Sequence, residues 1–417
     1  MGHLARIIFI NRFFYPDHSA TSQMLSDLAF ALAADGRQVA VITARIGYDA
    51  GSQSRPPRET TRGVEIVRVW STRFGRDRLV GRVGDYLSFY LSTLLCLIRM
   101  VRRGDIVVAK TDPPMLSVLA GPVVHLKGAR LVNWLQDVFP EVAHALGVGT
   151  GRLGRILHAA LRRLRDRSLR RADANVVLGS RMEERVAAMG VPADRIRVIC
   201  NWADGEIVKP LPVDANELRR AWGLDGKLVV GYSGNLGRAH EFETFLRAIE
   251  YIERGPVKSE TPIVWLFIGG GVNQSALMDE VKRRGLMSVV CHPYQPRERL
   301  SESLSSADVH LVSLRSSLEG LVVPSKLYGV MAAGRPAIFV GDADGEVART
   351  LRMHDCGLTV SEGDGRSLAE AILDLAVQPE QCRRLGANAR NAFEAHYALP
   401  IAVARWQALL SAIADRR

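Results

Sequence analysis

Two short stretches carry the residue types that grip an anion. Tyr232-Ser233-Gly234-Asn235-Leu236-Gly237-Arg238-Ala239-His240 follows the apolar run 228–231. Pro324-Ser325-Lys326-Leu327-Tyr328 opens a segment that runs into Met331-Ala332-Ala333-Gly334-Arg335-Pro336. Glycine-rich turns at strand ends expose backbone N–H groups, and a helix N-terminus adds partial positive charge. Arg238 and Lys326 add full charges. Ser325 is placed to cap a helix, with Lys326 in its first turn, where a cation opposes the helix dipole. A bound anion would give that placement a reason. Two such loops in one half of the chain suit a diphosphate. An ordinary strand-to-helix loop and a solvated lysine are the plainer alternatives.

Other candidates sit at strand ends, where doubly wound folds place their ligand crevice. Asp17 and His18 lie in the loop 13–21 between the first strand and the first helix, and are candidates for substrate contact. Capping by Ser19 or Thr21 is the alternative use of that loop. Asn133-Trp134-Leu135-Gln136-Asp137-Val138-Phe139-Pro140-Glu141 ends a buried strand with an amide, two carboxylates and aromatic rings. Phe267-Ile268-Gly269-Gly270-Gly271 lacks the Gly-x-Gly-x-x-Gly spacing of a dinucleotide turn, which argues against a nicotinamide enzyme. Asp342-Ala343-Asp344 has the spacing of a metal-bridging pair, but it comes after two complete sheets and reads better as a polar loop. No metal and no cofactor is expected.

The elements that must hold these residues are short apolar strands alternating with amphipathic helices. In the first half the strands fall at 6–10, 38–43, 64–70, 106–109, 130–135 and 175–177; in the second, at 228–232, 263–268, 289–291, 309–312, 337–340 and 358–360. That alternation predicts an α/β fold of two parallel, doubly wound sheets. A seam at 201–214, with Pro210 and Pro212, divides the chain into domains at 1–205 and 206–396, followed by a helix in 397–417. A length of 417 residues also suits two cores better than one.

Composition narrows the partners. A net charge of +11 favours an anionic lipid surface, nucleic acid or a phosphorylated substrate. No nucleic-acid motif accompanies the charge, so nucleic acid is not expected. Five scattered cysteines, none spaced Cys-x-x-Cys, argue against a disulfide framework or structural zinc and for a reducing cytoplasm. The apolar run 87–98 is short for a membrane span and reads as a buried or membrane-surface helix. The segment 151–171 is a basic amphipathic helix: eight arginines stand against Asp166, beside a stripe of Leu153, Ile156, Leu157, Leu161 and Leu164. Either the stripe packs on a sheet, or the helix meets anionic lipid headgroups.

Taken together, these motifs resemble the retaining glycosyltransferases of family 4. Leu135-Gln136-Asp137-Val138-Phe139-Pro140, Val198-Ile199-Cys200-Asn201-Trp202-Ala203-Asp204 and both loops above carry the likeness, which covers nearly the whole chain. The Ser-Gly-Asn-Leu-Gly-Arg-Ala-His and Pro-Ser-Lys-Leu-Tyr versions are most similar to the branch adding fucose-type or N-acetylfucosamine-type sugars to surface polysaccharide units. The resemblance implies the GT-B architecture: two Rossmann-like domains facing a cleft, the last helix returning to the first domain. It also implies a donor site of Gly234, Asn235, Gly237, Arg238, Pro324, Ser325, Lys326 and Leu327, with Tyr294, Gln295 and Pro296 near the base. Asp17, His18 and Asp137 would face the sugar and acceptor.

The implied reaction moves a sugar from a nucleotide diphosphate to a polyprenyl-linked saccharide, on a cytoplasmic protein peripheral to the inner face of the plasma membrane. One departure stands out. The family's second glutamate, which binds the ribose, is replaced by Gly329, while Glu319 stands near the first. Two rivals therefore stay open: a nucleotide-sugar epimerase, and a non-catalytic nucleotide-binding scaffold at the membrane surface.

Overall fold

A computed structural model describes residues 5–17, 19–47, 54–74, 79–256 and 259–415. The chain forms two compact units, Met1–Cys200 with Ala402–Arg417, and Asn201–Ile401.

The first unit runs β1 (Ile7–Ile10), α1 (Ala20–Ala34), β2 (Val39–Ala44), β3 (Arg58–Thr61), β4 (Val64–Val69), α2 (Leu79–Met100), β5 (Ile106–Lys110) and α3 (Leu116–Leu126). It continues through β6 (Arg130–Trp134), α4 (Glu141–Ala145), α5 (Arg152–Arg171), β7 (Ala174–Val177), α6 (Ser180–Ala188) and β8 (Ile196–Val198). Among the described residues its sheet has eight strands in the order β3-β4-β2-β1-β5-β6-β7-β8. The inner strands are apolar runs buried on both faces, as parallel strands covered by helices must be. One strand breaks the expected all-parallel pattern. β3 pairs antiparallel with β4 at the edge, and its polar Arg-Glu-Thr-Thr sequence suits a strand left open to water. Ser19 caps α1, its hydroxyl accepting the Ser22 N–H at 3.3 Å.

The second unit runs α7 (Glu217–Ala221), β9 (Leu228–Asn235), α8 (Glu243–Arg254), β10 (Ile263–Gly270), α9 (Gln274–Arg284), β11 (Val289–His292), α10 (Leu300–Ser305), β12 (Val309–Ser313) and α11 (Lys326–Ala332). After it come β13 (Ala337–Val340), α12 (Glu346–Met353), β14 (Gly357–Val360), α13 (Gly365–Val377) and α14 (Pro379–Ala392). Its six described strands are parallel in the order β11-β10-β9-β12-β13-β14. Tyr232, Phe245, Trp265 and Phe267 fill one face of that sheet. The last helix, α15 (Leu399–Ala414), delivers Trp406 onto Trp134 of the first unit, ring centroids 4.8 Å apart.

For two helices one of the two readings left open by the sequence is removed. α5 does not lay its stripe on a sheet: Leu153, Ile156, Leu157 and Leu164 are exposed, and the buried residues are Arg165, Ser168 and Leu169. Arg165 is no candidate for lipid contact either, because it forks onto Glu141 at 2.7 and 2.8 Å. α2 buries Phe89 and Leu97 but exposes Leu87, Leu91, Leu95 and Ile98, so the run 87–98 is not a buried helix.

Candidate functional site

The strand order of the second unit reverses direction at β9. From there the chain proceeds outward to β10 and β11, then returns to β12 on the other side. Such a reversal opens a crevice at the carboxyl ends of the two neighbouring strands. Gly234 and Asn235 end β9 there, and Ser313 ends β12. Gly234 has φ 113°, a conformation that an L side chain rarely adopts. Gly271 has φ 126°, and a Cβ on it would fall 2.4 Å from Asn235 Oδ1. The loops after β9 and β10 thus interlock closely, with Leu236 N–H donating to the Gly270 carbonyl at 2.7 Å and the Asn273 side-chain amide to the Gly237 carbonyl at 3.0 Å.

Lys326 reaches into this corner. Its ammonium donates to the Tyr232 hydroxyl, to the Asn235 carbonyl at 2.9 Å and to a ring nitrogen of His240 at 3.1 Å. It also lies 4.2 Å from the centre of the Tyr232 ring. His240 Nδ1 faces the Ser313 carbonyl at 2.7 Å. A carbonyl only accepts, so Nδ1 carries the proton and Nε2 offers a lone pair to Lys326. Burial, helped by the Lys326 charge, pushes His240 down to about 3, so the ring is neutral. Burial alone pulls Lys326 down to about 7. Lysine, histidine and tyrosine therefore form one cluster across the switch point, holding a cation close to losing its proton.

The remaining donor candidates divide. Arg238 is exposed, beside this loop, and its carbonyl is held by Arg315 at 3.1 Å. A Cβ on Gly237 would meet the Asn235 amide nitrogen at 3.2 Å, so the turn is tight there too. Tyr294, which follows β11, lies against Gly270, where an added Cβ would come within 3.0 Å of its ring. Gln295 donates to the Pro293 carbonyl at 3.0 Å.

Two expectations are corrected. Ser325 makes no side-chain cap bond and has helical dihedrals of −69° and −18°. Leu327 and Pro324 are buried, so what they offer a ligand is backbone rather than side chain. Lys326 does not need a bound anion to explain its place, because three protein acceptors already hold it.

In the first unit the loop after β1 is pinned where β1 and β5 part, Arg12 N–H donating to the Asp112 carbonyl at 2.7 Å. Asp17 is buried and pairs with Arg55 at 3.3 Å. His18 lies outside the described residues. Asp137 follows β6 at a cavity of about 20 Å³, shared with Thr111, Ser117 and Arg165. Its Oδ1 is buried without a hydrogen-bond partner. Burial raises this carboxyl to about 7; a hydrogen bond from Thr111 opposes the rise, and the Asp112 charge adds to it.

Three carboxylates near this corner, Glu319, Asp342 and Asp344, are held by the protein's own donors. Glu319 is buried and accepts N–H bonds from Gly320 at 3.1 Å and Glu346 at 2.9 Å, capping α12. Asp342 accepts from Asp344 N–H at 2.9 Å, and Asp344 pairs with Arg349 at 2.8 Å. Sequence reasoning missed Tyr232 and His240 as partners of Lys326, although both lie inside the motif it singled out. It also missed Lys110, which is buried, donates to the Thr21 carbonyl at 2.6 Å and thereby fastens the start of α1 to β5. No periodic signal marks a lysine inside an apolar strand.

Comparison with known proteins places the chain. Residues 20–202 match the family described as a glycosyl transferase 4-like domain, and residues 214–392 the glycosyl transferases group 1. It is 30% identical over 346 residues to the probable glycosyltransferase WbjE of Pseudomonas aeruginosa, spanning 81% of this chain and 82% of that one. It is 27% identical over 358 residues to the putative colanic acid biosynthesis glycosyl transferase WcaI of Escherichia coli K12, with 80% and 83% covered. In fold it is similar to sucrose-phosphate synthase from Thermosynechococcus elongatus (TM-score 0.77, 18% identity, 98% and 99% covered). Anabaena HepE in complex with UDP-glucose is also similar (TM-score 0.72, 14% identity, 98% and 99% covered).

Proposed function

Because this chain belongs to the family-4 glycosyltransferases, we propose that it moves a sugar from a nucleotide diphosphate donor to a lipid-linked saccharide in surface polysaccharide synthesis, with retention at the anomeric carbon. The observation that carries this reading is the Lys326–Tyr232–His240 cluster seated on the Gly234 turn at the switch point of the second sheet. The UDP-glucose complex of HepE and the colanic acid role in the name of WcaI support the donor class and the process.

In the proposed reaction the bond between the anomeric carbon and the diphosphate oxygen breaks as the acceptor oxygen bonds to that carbon. The departing phosphate takes the acceptor proton. Lys326, Arg238 and the turn N–H groups stabilise the charge that builds on the diphosphate. Asp137, with Asp17 and His18, orients the acceptor hydroxyl. A neighbouring phosphate favours the charged form of Lys326, so donor binding draws in a proton. Exposed arginines and leucines on α5 support a place against the inner membrane surface.

Calorimetry with a panel of UDP- and GDP-sugars tests the donor assignment. At least one donor should bind, and alanine at Lys326 or Arg238 should weaken it. Unchanged affinity in both variants would overturn the phosphate assignment. Incubation with that donor alone should leave its sugar unisomerised; isomerisation would instead identify an epimerase.

A further inference from the structure

One face of the first unit is built against the usual logic of a surface. α3 packs against both α2 and α5, so the three helices share one layer over the sheet. Their inner sides hold the core, with Phe89 and Leu97 of α2 beside Leu116 and Val124 of α3. The outer side of α2 is apolar too: Leu87 and Leu91 are each 61% exposed, Leu95 48% and Ile98 45%. The segment Gly81–Met100 has a mean hydropathy of 1.2 with only 22% buried. Exposed Trp70 and Phe74 stand just before this helix. A contiguous apolar stripe of this kind is an interaction surface.

Beside the stripe runs a groove of about 740 Å³ between α2 and the β3–β4 edge, with Leu95 and Trp70 in its wall. It is basic. Arg68 is taken by Glu59 at 2.6 Å and Arg6 by Asp105 at 2.7 Å. Arg58, Arg99 and Arg102 also line it, are exposed, and make no side-chain ion pair among the described residues; Glu65 is the acid facing them.

We propose that α2 and this groove form an anionic-lipid docking site, the leucine stripe entering the headgroup–acyl boundary while Arg58, Arg99 and Arg102 bind lipid phosphates. Charge selects this occupant. A second copy of the chain would bring another arginine-lined surface against the first, and like charges oppose that contact. A spanning role is excluded by packing, since Phe89 and Leu97 tie α2 to the sheet core. An apolar face with a cationic border is the signature of a helix lying in the interface plane. The proposal rests on the membrane reading above and adds to it a docking element other than α5.

The test is flotation of the full chain with vesicles of phosphatidylcholine alone or with 30% phosphatidylglycerol. The wild type should bind the anionic vesicles, with a blue shift of Trp70 fluorescence that Trp70→Phe removes. Changing Arg58, Arg99 and Arg102 to Gln should lower binding by about fivefold per arginine. Leu91→Ser with Leu95→Ser should lower it by about tenfold per leucine. All five positions are surface-accessible, and unchanged melting temperatures would certify the fold. If the wild type ignores anionic vesicles, the membrane reading itself fails. If it binds and both variants bind as well, while Arg155→Gln with Arg163→Gln on α5 abolishes binding, only the α2 site fails. A dimer in sedimentation equilibrium that Leu91→Ser dissolves would overturn the lipid in favour of a second copy.

Discussion

The two sheets end in corners that solve the same problem with opposite charge. In the second unit, burial lowers an ammonium to about 7, and three neutral acceptors hold it. In the first, burial raises a carboxyl to about 7, and one of its oxygens is left with nothing to bond. Each group stands near the midpoint of its titration at neutral pH. The lysine is satisfied by the protein and must be drawn away by something stronger, as an anion is. The aspartate has a donor in Thr111 for one oxygen and none for the other, a place that a sugar hydroxyl could fill. One corner is suited to gripping charge and the other to orienting a hydroxyl.

The sharpest way to break this contrast is Asp137→Asn. It removes the charge and one of two acceptor oxygens while keeping the shape, and should cut turnover by about 10²-fold with donor affinity unchanged. Steady-state rates together with calorimetry would check it; a weakened donor affinity would mean both corners serve the same ligand. Lys326→Met comes next. Losing a charge-assisted bond to phosphate should weaken donor binding by about 10–150-fold, measured by titration calorimetry.

The pH dependence is a subtler probe of the same lysine. Because the free-state group loses its proton near 7 and the bound state needs it, affinity for an intact nucleotide sugar should fall as pH rises above about 7. The limit is about tenfold per pH unit. Calorimetry in two buffers of different ionisation enthalpy should show proton uptake. The same depression makes stability rise with pH between about 7 and the ordinary lysine value of 10.5, since there the unfolded chain binds the extra proton. Lys326→Met should flatten that slope. The smallest effect belongs to Glu319→Gln. It should cost about 1 kcal/mol of stability through the weakened cap on α12 and leave donor affinity alone, in a melting scan and a binding titration.

The sequence made the inner strands readable because they are apolar on both faces. It hid β3, whose four residues are polar and partly open to water, so no hydrophobic period exists to find. For α2 it disclosed an apolar helix but not its aspect, because Leu87 and Phe89 look alike in a chain and only packing separates the exposed one from the buried one. At the site, the nearness of Lys326 to the Gly234 turn could be read from two recurring motifs. Its bond to His240 joins residues 86 positions apart through side-chain reach, which spacing does not encode. The Ser325 cap failed for a local reason: the residue already has helical dihedrals, so its hydroxyl is not positioned to meet the next turn.

The Trp134–Trp406 contact also bears on how the polypeptide is made. Trp134 is fully buried, and part of what covers it comes from Trp406, which follows the whole second unit in the chain. During synthesis, which proceeds from the amino end, that indole waits for its cover until the second unit has been made. The first sheet is thus begun before the second and closed after it.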